Sequence, residues 1–174
     1  MSASPWLRQA VYDLRSAILL FEGGMWSNAC IQAQQAVEKF GKGLLIHANA
    51  IPEYTHNVDK INSLIQDTGL HQFSDEEVES AKVLARTFLT ARYPNLAADT
   101  APCELFTKKD AEQHIQWAIN YFDMVIHIAA DLTRQSVPDE REKIQAEFLA
   151  AKAKHKAGLS CNLGRVRQTP REAE

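Results

Sequence analysis

Arg92-Tyr93-Pro94 joins a forked cation to an aromatic ring at the end of an amphipathic stretch. A guanidinium presents donors that match phosphate oxygens or a base edge, and a tyrosine ring offers a face on which a base can stack. The same three residues also read as a helix stop. An arginine suits the negative end of a helix dipole, a tyrosine packs on a bundle, and proline ends the run. Gln35, Lys39 and Lys42 form a second polar group. Their spacing of four and three residues puts them on one side of a helix, where a lysine would meet a phosphate. The plain alternative is a solvated face with internal Gln35–Lys39 or Glu38–Lys42 pairs. His56 opens a later segment, where an imidazole would hydrogen-bond a ligand or tie its loop to the preceding helix.

Other chemistries find less support. His114 and Asp110 lie four apart with His127 beyond them, but no third and fourth ligand completes a metal set, and none is expected. Asp13, Glu22 and Glu38 make no convincing carboxylate dyad. There is no glycine-rich phosphate loop and no Gly-x-Ser-x-Gly elbow. Cys30, Cys103 and Cys161 are odd in number and match no zinc spacing. Cys30 reads as a small buried filler, and a reduced, cytoplasmic protein is the simplest setting. Lys152, Lys154, Lys156, Arg165, Arg167 and Arg171 make a basic tail without aromatic residues, so it reads as solvated rather than as a strand-binding arm.

The elements that must position these residues are helices. A central helix is expected from Met25 to Ala48, with Ala29, Ala33, Ala36, Val37, Phe40 and Leu44 on one stripe. A stripe built mostly of alanine lets neighbouring helices approach closely. Before it, Pro5 to Glu22 reads as a helix capped by Ser4 and ended by Gly23-Gly24, so the two should lie antiparallel. Ile51-Pro52 marks a turn, and Thr55 would cap a short helix from His56 to Thr68. Ser74 and Glu77 form a capping box that opens a helix ending near Arg92. A long loop through Phe106 follows, and Thr107 caps a helix expected to run to about Arg134. Ser136-Val-Pro138 breaks the chain, and Asp139 to Lys156 reads as a charged helix with a thin stripe of Ile144, Phe148 and Ala151, packed loosely on the bundle or on a second subunit. The residues after Gly158 read as a disordered tail. Nothing shows a period of two, so the fold class is all-α.

At 174 residues and 45% hydrophobic composition the chain is one ordinary domain with a real core. Its formal net charge of −3 is too small to imply nucleic acid or a membrane surface as partner. No apolar run reaches the roughly 20 residues of a membrane span, and the first residues lack a signal-peptide pattern.

The order of these motifs resembles a known family. Gln34-Gln-Ala-Val-Glu-Lys39 follows a helix opening Trp6-Leu-Arg-Gln-Ala and a Gly-Gly break; His56-Asn-Val opens the next helix, and Arg92-Tyr-Pro94 closes the fourth. Together they are similar to the HEPN domain, over about Pro5 to Arg134. The resemblance implies an up-and-down bundle of four to five helices that commonly dimerises, and a groove for nucleotides or similar phosphorylated ligands. With the break at Pro138 and the shift in composition after Gly158, the chain divides into a bundle at 5–135, a C-terminal helix at 136–157 and a tail at 158–174. The resemblance also implies two functional branches. One is a metal-independent ribonuclease branch, including toxins of toxin–antitoxin systems, which carries an Arg, four to six residues, then a His. The other ends its helix in Arg-Tyr-Pro.

The ribonuclease motif is missing here. Counted from Arg86 the histidine would fall at Ala91, Arg92 or Tyr93, and from Arg92 at Ala97, Ala98 or Asp99. Attack by a 2′-hydroxyl needs a proton acceptor, usually histidine near neutral pH. The expectation is therefore a homodimeric module without chemistry or cofactor of its own. It would bind a nucleotide through Gln35, Lys39, His56, Arg92 and Tyr93, with a minimal nucleotidyltransferase as a possible partner. The rival is a ribonuclease toxin that uses another histidine.

Overall fold

Gly24, at φ 77°, turns the first helix back on itself. In the computed structural model, which describes residues 2–94 and 99–158, α1 (Ser4–Glu22) and α2 (Trp26–His47) are joined by this glycine pair and Met25. The N-cap of α1 is Ala3 rather than Ser4, and its side chain makes no capping bond. Ser4 Oγ instead accepts from Arg8 Nη1 at 2.6 Å, one turn on. Proline at the second helical position makes a side-chain cap less necessary, because its missing N–H leaves one donor fewer to satisfy.

The alanine stripe of α2 does what small residues allow. Ala29, Ala33 and Ala36 are fully buried, and α1 lies close along them. Gly43 marks the tightest approach: a Cβ there would sit 2.5 Å from Leu7 Cδ1. On another side of α2, Phe40 stacks on Phe122 of α6 (Lys108–Ile128), with centroids 4.7 Å apart. A third side meets α3 (Val58–Asp67), where a Cβ on Gly41 would fall 2.6 Å from Ile61 Cγ2 and 2.8 Å from the Tyr121 hydroxyl. α2 is therefore a central beam, and Ser27, Gln34, Glu38 and Lys42 are buried along with its apolar residues.

The remaining helices differ in detail from the sequence expectation. Asn57, not Thr55, caps α3, its side chain accepting from Lys60 N at 3.1 Å. Thr55 Oγ1 instead accepts from Asn57 N, fixing the turn before the cap. The Ser74–Glu77 capping box opens α4 (Asp75–Thr90) as expected, and Arg92 lies just past its end. Within the expected long loop, α5 (Pro102–Leu105) forms one turn, with Ala101 N bonded to the Glu104 carboxylate. The Thr107–Asp110 capping box opens α6.

The expected single helix to Arg134 is two. Ala129 leaves helical geometry, at φ −129° and ψ 51°, and α7 (Ala130–Ser136) follows as a separate helix. No proline or glycine announces this break. It buries Thr133 and Ser136, and the Thr133 hydroxyl bonds back to the Ala130 carbonyl.

α8 (Glu140–Lys156) is firmly docked rather than loose. Ile144, Phe148 and Ala151 are fully buried against α1 and its neighbours. Arg15 of α1 reaches Glu147 at 2.6 Å and Glu140 at 3.4 Å, and His155 Nε2 donates to the Phe21 carbonyl at 2.7 Å. Several charges of this helix pair across the seam, where loose packing was expected. The expected tail, from 159 onward, and residues 95–98 lie outside the described residues. Among the described residues all regular structure is helical, and no helix is long and apolar enough to cross a membrane.

Candidate functional site

Gln34, Glu38 and Lys42 stand four residues apart, so α2 presents them as one row. That row faces the connection between α2 and α3, and all three side chains are buried. Lys42 Nζ lies 2.8 Å from Glu38 Oε1 and donates to the Thr55 carbonyl at 2.7 Å. Gln34 Nε2 donates to the His56 carbonyl at 3.2 Å and to Glu38 Oε2 at 3.2 Å. His56 Nδ1 is 3.1 Å from both carboxylate oxygens. Each buried polar atom in the row thus has the partner its burial demands.

Burial by itself would raise the Glu38 carboxyl's pKa. The hydrogen bond and charge of Lys42, then those of His56, more than offset it and hold the carboxyl below its ordinary value. Glu38 is therefore an anion at neutral pH. A carboxylate only accepts, so Nδ1 of His56 carries the hydrogen, and in the neutral ring Nε2 keeps its lone pair.

The anchored His56 builds outward. Its ring stacks on Phe88 of α4, centroids 4.2 Å apart and planes 10° from parallel. Arg92 Cζ lies 4.3 Å from the centre of the same Phe88 ring, a cation–π contact. Tyr54, wholly exposed, meets His56 edge-on at 6.1 Å. Phe88 so couples a histidine from the α2–α3 connection to an arginine past the end of α4. Arg92 is exposed, and among the described residues no carboxylate pairs with it.

The sequence-predicted residues divide into two sets. His56 and Arg92 are brought together through Phe88, and Tyr93, about half exposed, follows Arg92 in the chain. Gln35 and Lys39 are engaged elsewhere. Gln35 Nε2 donates to Gln34 Oε1 at 2.7 Å, and its Oε1 accepts from Lys39 Nζ at 3.2 Å. Lys39 Nζ also lies 2.7 Å from Asp13 Oδ2 of α1. Asp13 Oδ2 is buried, and this ion pair is its contact with Lys39. The pair neutralises Lys39 on the α1 side of α2.

The internal Gln35–Lys39 and Glu38–Lys42 pairs offered by the spacing both form, at 3.2 and 2.8 Å, but the second is buried rather than solvated. Sequence reasoning assigned Glu38 no tie to His56 and Phe88 no role beyond the apolar stripe of its helix. The i, i+4 row was a visible signal, but its meaning depended on which loop folds over it.

His114 is not a metal ligand in waiting. Its Nδ1 donates to the Asp110 carbonyl at 2.7 Å, and Nε2 pairs with the Thr87 hydroxyl at 2.9 Å, tying α6 to α4. Burial lowers its pKa and keeps the ring neutral, so Nε2 is the acceptor. Among the described residues no group of three or more histidine, cysteine, aspartate or glutamate side chains is placed to hold a metal.

The HEPN domain model matches residues 3–129, nearly three quarters of the chain. The chain belongs to the HEPN family. Two solved structures share the fold. The protein TT1696 from Thermus thermophilus is 28% identical, with a TM-score of 0.67 over 72% of this chain and 97% of that one. ST0689, described as an archaeal HEPN homologue, is 26% identical, with a TM-score of 0.58 over 76% of this chain and 98% of that one. No curated protein matches the chain. The Glu38 row, His56, Phe88 and Arg92 all fall within the HEPN match, whereas α8 lies beyond it.

Proposed function

We propose that this HEPN protein is a non-catalytic, homodimeric module that binds a nucleotide or nucleic-acid-like phosphate ligand beside Phe88. The observation that supports it is the coupling of His56 and Arg92 through one aromatic ring. Arg92 would take a phosphate oxygen with its free fork, and His56 Nε2 a hydroxyl or base edge. Tyr54 and Tyr93 would supply stacking faces. Gln35 and Lys39 act one step back, through the network that holds Glu38. The Arg-Tyr-Pro ending is the branch signature that fits a binder, and a separately encoded minimal nucleotidyltransferase is the partner that fits it.

The test is calorimetric titration with ATP and GTP, with light scattering on the same samples. Binding by the wild type and its loss in Arg92→Ala is the expected result. No binding at millimolar nucleotide, or identical binding by Arg92→Ala, would overturn the reading.

One observation favours a second reading. A histidine held by a carboxylate through Nδ1, sharing an aromatic ring with an arginine, also has the parts of a general base for 2′-hydroxyl attack. A metal-independent ribonuclease toxin would use His56 in that way. Expression in cells separates the readings: a toxin arrests growth, and His56→Ala relieves the arrest.

A further inference from the structure

The cleft between α3, α4 and α6 is a separate feature, with a different chemistry from the Phe88 patch. Its volume is about 150 Å³. That matches the roughly 150 Å³ of an engineered cavity that takes up a benzene ring. Phe73, Trp117 and Tyr121 give it aromatic walls, and no lysine or arginine lines it. Glu76, exposed, and Glu77, half-buried, place two carboxylates on the α4 side.

Those groups have settled charge states. Burial would raise the Glu77 carboxyl's pKa, but bonds from the Ser74 backbone and hydroxyl and the nearby His71 more than offset this and hold it below its ordinary value. Burial raises the Tyr121 phenol, which stays neutral and donates to Asn62 Oδ1 at 2.9 Å. Asn62 is itself almost fully buried and lines the cleft. Negative charge on one wall and aromatic faces on the others attract a cation twice over, by Coulomb attraction and by the ring quadrupoles. The same walls repel a phosphate.

We infer that this cleft binds a small organic cation, a protonated amine or guanidinium on a short apolar stem. The site is independent of the nucleotide reading.

Agmatine, which carries both cationic groups on a four-carbon stem, is the probe. It is titrated into the full chain while the Trp117 indole N–H is followed by NMR, the signal being assigned by its loss in Trp117→Phe. A saturable shift is expected, and butanol, the neutral stem, should not reproduce it. Glu76 is exposed, so Glu76→Gln leaves the fold intact; it should weaken agmatine binding at least about threefold, the scale of a partly exposed ion pair. No shift of the Trp117 signal at millimolar agmatine would overturn the proposal. So would equal binding by Glu76→Gln together with an equal response to butanol.

Discussion

His56 Nδ1 stands 3.1 Å from both carboxylate oxygens of Glu38, a residue with only 4% of its surface exposed. The bond does two jobs. It fixes the ring that stacks on Phe88, and it helps Lys42 keep a buried anion in place. Glu38→Gln should therefore leave Lys42 as an uncompensated buried charge and destabilise the fold by about 3 kcal/mol. Adding Lys42→Met should recover much of that loss, because the pair would then be neutral on both sides. Urea unfolding of the two single variants and the double variant measures the coupling.

Stability should fall in two steps on acidification. The folded pKa of His114 lies below its ordinary 6.5, and that of Glu38 below its ordinary 4.5. Each group binds more protons when unfolded, so each contributes stability above its unfolded pKa and loses it as pH drops through its folded pKa. The first loss starts below pH 6.5 and the second below pH 4.5. Thermal unfolding from pH 7 downward should show both steps, with the upper one gone in His114→Gln and the lower one reduced in Glu38→Gln.

Arg92→Ala should weaken nucleotide binding about tenfold or more, the scale of a lost charge-assisted hydrogen bond. Melting temperature should barely move, since Arg92 is exposed and its contact with the Phe88 ring is a surface one. Arg92→Lys should recover only part of the affinity, because it restores the charge and not the fork. Calorimetry with ATP on the wild type and both variants checks this. Equal affinity in Arg92→Lys and the wild type would argue against a bidentate contact.

Gly41→Ala tests the close packing of α2. Alanine is favoured over glycine in a helix by roughly 1 kcal/mol. Here the added Cβ would meet Ile61 Cγ2 at 2.6 Å and the Tyr121 hydroxyl at 2.8 Å. Overpacking of this kind costs about 1–3 kcal/mol, so the net change should be destabilising. It should also disturb the Tyr121–Asn62 bond, and with it the cleft beside α4. Chemical denaturation of Gly41→Ala gives the sign directly.

Much of the fold was legible because hydrophobic spacing and caps act locally. The stripes of α1 and α2, the Ser74–Glu77 and Thr107–Asp110 boxes and the start of α8 are all set by residues close in sequence. The break at Ala129 was not, because neither proline nor glycine stands there and the cause lies in what α7 packs against. The family resemblance was legible in the order of Gln34 to Lys39, His56 and Arg92 to Pro94, and the match over residues 3–129 agrees with it. The partners of those residues were not. Gln35 and Lys39 share a helix side with Glu38's network, yet whether they face a ligand depends on Asp13 of α1 and on the loop at Thr55. Such long-range contacts leave no periodic trace in the chain.

The α2–α3 connection is held by side chains reaching its backbone: Lys42 takes the Thr55 carbonyl and Gln34 takes that of His56. Adding or deleting one residue between Pro52 and Asn57 would slide both carbonyls out of reach and swing the imidazole away from its anion. Surface loops usually drift in length among relatives without harm. This one should be as fixed in length as a strand in the middle of a sheet, set by a buried charge rather than by the span it has to cross.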